Sequence, residues 1–418
     1  MTQTAPTPDR ALNTRLIKGL TFMMFMMFAM TTDSVGVIIP EVIREFDLGM
    51  TAGGAFHYAS MSGIALAGLM LGFLADRMGR KPAIILGLAL FAGAAFLFAV
   101  GRSFEFFLVL LFVSGAAIGV FKTAALALIG DISTSTKSHT ATMNTVEGFF
   151  GVGAIIGPAI VAALLAGGAS WKWLYVIAGV LSVGLILTAL MVRYPTAVKT
   201  AAPPTDLKST VRMMRDPYAL AFSLGTMLYV GVETAIYVWM PTLLLGYDGP
   251  AVWVAAYALS IFFVLRAAGR FLGAWMMSRF RWTTVLVVAS LAILVCFAGS
   301  ISGGRSAAVW LLPLSGLFMS VIYPTLNSKG ISCFAKAEHG AVAGVILFFT
   351  CVSAVLAPLA MGAVSDIFGA PIYGFVLATA LAAILFGALA VNAVLDPARA
   401  RLARFDDSQY GAISPQAD

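Results

Sequence analysis

The chain has 418 residues, 60% of them apolar and 11% charged, with a net charge of +7 and a mean hydropathy of +0.95. Soluble domains run at about 45–50% apolar and about 25% charged, so a soluble enzyme, a nucleic-acid-binding domain and a disordered chain are excluded. A membrane-crossing helix takes about 20 apolar residues, and this composition fills roughly a dozen of them.

In chain order, the polar start (Met1 to Gly19) carries Arg10, Arg15 and Lys18. The apolar run that follows is too long for a signal sequence and shows no A-x-A cleavage site, so it reads as the first span. Spans are predicted at 17–40, 53–74, 82–100, 104–130, 142–166 and 172–192, then at 217–243, 251–275, 282–301, 306–330, 340–363 and 371–394. Between the two sets lies a polar, basic, proline-bearing stretch, Arg193 to Asp216. The expected organisation is an N-terminal six-helix bundle (1–192), a cytoplasmic linker (193–216), a C-terminal six-helix bundle (217–395) and a cytoplasmic polar tail (396–418). Lysine and arginine crowd into the termini, the linker and alternate loops. The bias places both termini in the cytoplasm of a multi-pass protein of the cell (inner) membrane. Cys296, Cys333 and Cys351 sit apart in apolar stretches, with no CxxC pair, so neither a disulfide framework nor a metal site is read.

The two halves echo each other. GLMLGFLADRMGRK (Gly68 to Lys81) and GRFLGAWMMSRF (Gly269 to Phe280) both carry G-x-x-x-G ahead of a basic turn, and small residues at that spacing let helices approach closely. Spans 5 and 11 each end a small-residue run in a proline, Pro158 and Pro358. Parallel six-helix repeats are a transporter pattern, with the substrate held at mid-membrane between them.

GFLADRMGRK (Gly72 to Lys81) resembles the signature loop of the major facilitator superfamily. LYVGVE (Leu228 to Glu233), GRFLGAW, MSVIYPTLNSKGI (Met319 to Ile331), MGAVSDIFG (Met361 to Gly369) and MNTVEGFFGVGAIIGP (Met143 to Pro158) are similar to segments of its fucose–galactose–glucose proton symporter subfamily. The resemblance implies an all-α integral membrane protein of twelve transmembrane helices in two pseudo-symmetric bundles, the major facilitator fold. It also implies alternating access, proton coupling and a sugar-like substrate. Gly72, Asp76, Arg77, Gly79, Arg80, Lys81 and Arg270 are then expected to serve the inner gate.

A charge at the bilayer centre costs roughly 2.5–3.5 kcal/mol on insertion scales, so each needs a partner or a wet cavity. Asp33, Lys122, Glu147, Glu233, Arg266, Arg270 and Lys329 fall within predicted spans. In the superfamily, spans 1, 4, 7 and 10 line the cavity. The expected substrate-binding set is therefore Lys122, Lys329, Asn144, Asn327, Tyr323, Glu233 and Arg266, and the expected proton-coupling set is Asp33, Glu147 and Glu233. Tyr229, Tyr237 and Trp239 flank Glu233, either to stack on a sugar ring or to pack.

Departures from the subfamily sharpen the substrate reading. Lys122 stands where it has a carboxylate, Gly36 stands where the fucose-type members carry their span-1 acid, and Arg266 and Lys329 replace apolar residues. The added cations favour a sugar acid or other small organic anion over a neutral sugar. The other reading is that Lys122 only neutralises Glu147 or Asp33. The glycines at 148, 151, 153 and 157 before Pro158 partly resemble the signature of proton-coupled drug exporters, although the paired glycines expected after the proline are missing. A polytopic membrane enzyme would need a nucleophile or metal constellation, and no HExxH or GxSxG is present. The expected partners are a small-molecule substrate, protons and the lipid bilayer, with no cofactor, no nucleic acid and a monomeric state.

Overall fold

The computed structural model describes residues 8–71, 78–132, 136–194, 213–334 and 338–410, and the regular structure among them is helical. The chain divides into two compact units, Met1–Thr200 and Ala201–Asp418. In the first unit, spans 1 to 6 are Thr14–Phe46, Ala55–Leu71, Arg80–Leu97, Phe104–Ile129, Thr145–Ala166 and Lys172–Met191. In the second, spans 7 to 12 are Pro217–Leu244, Ala258–Arg279, Trp282–Ser302, Gly304–Ser332, Val342–Phe368 and Ile372–Leu395. Eleven of these are long and apolar enough to cross a membrane; span 2 has 17 residues and runs up to the edge of the described region. Most of the expected linker, together with Gly72, Asp76 and Arg77, lies outside the described residues.

The sequence echo is a packing plan used twice. In the first unit, span 1 packs on span 5, span 2 on span 4, and span 3 on spans 4 and 6. In the second unit, span 7 packs on span 11, span 8 on span 10, and span 9 on spans 10 and 12. These helices are apolar all round, so close contact depends on small residues rather than on an amphipathic face. A Cβ on Gly269 of span 8 would collide with the Leu317 carbonyl oxygen of span 10, so only glycine permits that crossing.

Three spans are interrupted. Span 1 consists of two helices, Pro8–Thr32 and Val35–Phe46, separated at Asp33 and Ser34. The residues there compete for backbone acceptors: the Thr31 hydroxyl donates to the Phe28 carbonyl, Ser34 Oγ donates to that of Met30, and Thr32 Oγ1 lies within reach of both the Phe28 carbonyl and the Asp33 carboxylate. Span 7 passes from an α-helix (Pro217–Thr234) through a π-turn (Ala235–Trp239) into Met240–Leu244. Pro241, which has no N–H to offer, follows directly. Span 10 breaks at Ser320 and Val321, between Gly304–Met319 and Ile322–Ser332. Pro324 removes the donor that the Ser320 carbonyl would have met four residues on. Pro158, by contrast, sits inside the unbroken helix Thr136–Ala166.

Within the polar tail, Arg399–Tyr410 forms a helix docked on the second unit. Arg401 places its guanidinium over the rings of Tyr218 (4.5 Å) and Phe334 (4.4 Å), and its Nε donates to the Cys333 carbonyl at 2.8 Å.

Candidate functional site

Each unit gathers its own intramembrane charges. In the first, Asp33 occupies the break in span 1, half-buried, and its carboxylate accepts from Thr32 Oγ1 at 2.9 Å. Lys122, half-buried on span 4, holds Nζ 4.8 Å from the centre of the Phe150 ring of span 5, a cation–π contact. Glu147 lies one turn earlier on span 5, with an exposed side chain. The side chain of Asn144 is outside the described ones. Beside the break in span 1, Thr31, Thr32, Ser60, Ser114 and Tyr175 are among the residues that line a small pocket.

The basic turn ahead of span 3 is held in place. Gly79 has φ +91°, a conformation open to glycine and costly for other residues. Arg80 Nε meets Asp131 Oδ2 of the span-4 helix at 2.9 Å, and Lys81 Nζ donates to the Leu190 and Val192 carbonyls at 3.0 and 2.8 Å. A lysine on the last carbonyls of a helix also complements the helix dipole.

The second unit holds the tightest cluster. Glu233 (8% exposed) accepts from Arg266 Nη2 of span 8 (24% exposed) at 2.6 Å. Tyr229, one turn before Glu233 and fully buried, has Oη 2.8 Å from Glu233 Oε1 and 2.8 Å from the Met319 carbonyl oxygen of span 10. Spans 7 and 8 therefore meet at one carboxylate, and Tyr229 links it to span 10. Tyr323 is half-buried, with its ring 6.5 Å from that of Tyr229. Asn327 and Lys329 are half-buried further along span 10, and Arg270 is exposed one turn beyond Arg266.

Of the aromatics flanking Glu233, Trp239 is buried with Nε1 donating to the Pro358 carbonyl at 3.0 Å. Trp239 and Tyr229 are both buried and hydrogen-bonded, and Tyr237 is half-buried. The sequence reading paired Glu233 with no partner, weighed Tyr229 for stacking or packing and not as a hydrogen-bond partner, and gave no role to Met319, Asp216 and Arg401. A signal existed for Tyr229, since a tyrosine four residues before an acid shares its helix face. No local signal marks the Met319 carbonyl.

A family model described as Major Facilitator Superfamily matches residues 21–358. The L-fucose-proton symporter of Escherichia coli (strain K12) is 25% identical over 389 residues, covering 83% of this chain and 86% of the symporter. A glucose/galactose transporter of Brucella abortus is 23% identical over 365 residues, covering 83% and 87%. Among solved structures, a bacterial homolog of the human lysosomal transporter Spinster superposes with a TM-score of 0.69 at 17% identity, covering 99% of this chain and 100% of that one. The transporter FucP superposes at 0.62 with 23% identity, covering 93% and 99%.

Proposed function

Because the chain belongs to the major facilitator superfamily, and is thereby an integral membrane transporter and not an enzyme, we propose that it carries a sugar-like solute by proton symport. The observation that carries the reading is the buried Glu233–Arg266 pair with Tyr229 at the meeting of spans 7, 8 and 10. A carboxylate that shares its oxygen with a cation and a phenol can exchange one partner for a proton. Its relatives, an L-fucose-proton symporter and glucose/galactose transporters, support both the solute class and the ion.

Lys122, Lys329, Asn144, Asn327, Tyr323, Glu233 and Arg266 are proposed to bind the solute. Asp33, Glu147 and Glu233 are proposed to carry the proton. Gly72, Asp76, Arg77, Gly79, Arg80, Lys81 and Arg270 are proposed to work the gate, with both termini in the cytoplasm. A sugar acid is the second reading. Of the three added cations, Arg266 is already neutralised by Glu233, which leaves Lys122 and Lys329 to favour an anion.

Proteoliposomes with an imposed pH gradient test the function: a transported sugar should accumulate against its gradient and stop doing so on addition of a protonophore. Accumulation that persists without the gradient would overturn symport. A thermal-shift screen separates the substrates, since ligands stabilise the folded state they bind. Hits confined to neutral sugars remove the sugar-acid reading. Asp33→Asn or Glu147→Gln should abolish solute-driven proton uptake and leave counterflow exchange; normal acidification in both would remove them from the coupling set.

A further inference from the structure

Tyr229 stands between two oxygen atoms with one hydrogen to give. Its Oη lies 2.8 Å from Glu233 Oε1 and 2.8 Å from the Met319 carbonyl oxygen. A phenol has one O–H, whereas an ionised carboxylate and a backbone carbonyl only accept. With Glu233 ionised, the hydrogen goes to the carboxylate, because a charge-assisted bond is the stronger. The Met319 carbonyl then faces a lone pair in a buried setting, where an unmatched polar group is costly. With Glu233 protonated, its O–H donates to Tyr229, and Tyr229 donates to Met319. Every group in that chain is then matched.

Both ends of the chain have consequences. Met319 closes the first helix of span 10, immediately before the break at Ser320 and Val321. The carboxylate oxygen that Tyr229 touches, Glu233 Oε1, is also the one that Arg266 holds at 2.6 Å. Loss of the negative charge therefore loosens Arg266 as well.

We propose that Tyr229 is a positioning residue that passes the protonation state of Glu233 to the break in span 10. Ionised Glu233 holds both Arg266 and the Tyr229 hydrogen. Protonated Glu233 releases Arg266 toward the oxygens of a solute and turns the Tyr229 hydrogen onto Met319, tying span 7 to the break. One proton enters, on Glu233; the phenolic hydrogen reorients without leaving its oxygen. The functional consequence, solute and proton bound together, rests on the symport reading.

Arg266 comes from span 8, Tyr323 from span 10 and Tyr237 from span 7 itself. Among the described residues, Ser353, Ala357, Pro358 and Leu381 of spans 11 and 12 lie against span 7, and none of these side chains titrates.

Infrared difference spectra of the full-length protein in lipid, stepped between alkaline and acidic buffer without solute, test the chain directly. The expected result is a protonated-carboxyl C=O band that is lost in Glu233→Gln. In Tyr229→Phe the band should shift to higher wavenumber, because the carboxyl O–H has lost its acceptor. Should Glu233→Gln alone fail to fold, the double variant with Arg266→Met assigns the band. In transport, Tyr229→Phe should lose gradient-driven accumulation and keep solute exchange. A band unmoved by Tyr229→Phe, or no Glu233 band at any pH, overturns the proposal. A band that behaves as expected in a protein that accumulates no solute overturns the symport reading and leaves the hydrogen-bond chain standing.

Discussion

Arg401 meets Asp216 at 3.1 Å across 185 residues of sequence, and the same carboxylate accepts the first-turn N–H groups of Tyr218 and Ala219 at 2.8 and 3.2 Å. Asp216 is therefore the N-cap of span 7 and the anchor of the C-terminal helix at once. The Arg401 fork also reaches the Cys333 carbonyl just past span 10, so one guanidinium ties together the chain ends of spans 7, 10 and 12.

Replacing Arg401 with Ala removes the ion pair, the carbonyl bond and two stacked faces. The expected loss is about 1–3 kcal/mol, given the partial exposure of the pair. Thermal melting should report it, and limited trypsin digestion should cut within Arg399–Tyr410 sooner than in the unaltered protein. Arg401→Lys keeps the charge but not the fork, so it should recover little of either. Unchanged digestion would mean that buried Ala398 and Leu402 hold the tail without the arginine.

The Glu233–Arg266 pair predicts a non-additive pair of substitutions. Arg266→Met strands a carboxylate that is 8% exposed, and removing one partner of a buried pair costs about 3–5 kcal/mol. Adding Glu233→Gln should restore most of the loss, since two neutral groups demand far less. Melting temperatures of the two single variants and the double variant in one detergent give the coupling. A double variant no more stable than Arg266→Met would show that the pair holds no such energy.

Glycines in the spans divide sharply by what surrounds them. A Cβ at Gly269 runs into the Leu317 carbonyl, and one at Gly157 runs into the Met30 carbonyl of span 1. Around Gly148 and Gly151 there is open space. Gly269→Ala and Gly157→Ala should each destabilise by about 1–3 kcal/mol, as overpacking does. Gly148→Ala should be neutral or slightly stabilising, through its better helix propensity. Equal effects at all three, measured by chemical denaturation, would contradict the close helix approach. The contrast also bears on the glycines that resemble an exporter signature, because Gly153 and Gly157 are used for packing on span 1.

Much of this architecture was legible because the bilayer imposes long apolar runs, and the doubled GxxxG-plus-basic turn marked the repeat. The interruptions were harder to read. The run Thr31–Thr32–Asp33–Ser34 carried its own signal, four short polar side chains able to bond back to carbonyls. Pro241 marked the π-turn of span 7 in the same way. Intramembrane charges were readable as a set, since each is anomalous in hydrocarbon. Their pairing was not, because Glu233 finds Arg266 through the crossing of spans 7 and 8, which no local spacing encodes. The docked tail escaped for a similar reason: Arg399–Tyr410 is largely polar, and the distant partners of Arg401, with buried Leu402, make it part of the fold.

Cys333 gives the fold an alkaline limit. Burial pushes its thiol up from 9.0 to about 11, with Asp216 adding to the rise and Arg401 and Lys329 opposing it. A raised folded value means the folded state favours the neutral thiol. Its contribution to stability is complete below about pH 9, declines above that and is gone once pH passes about 11. Denaturation curves should therefore show stability falling across that window, and Cys333→Ala should flatten the fall. With Cys296 and Cys351 changed to Ala, maleimide should label Cys333 only as the protein unfolds, because the reactive thiolate is scarce and the side chain is buried. Rapid labelling of the folded protein at neutral pH would mean that the Arg401 cover opens in solution, and would move the explanation from burial to motion of the C-terminal helix.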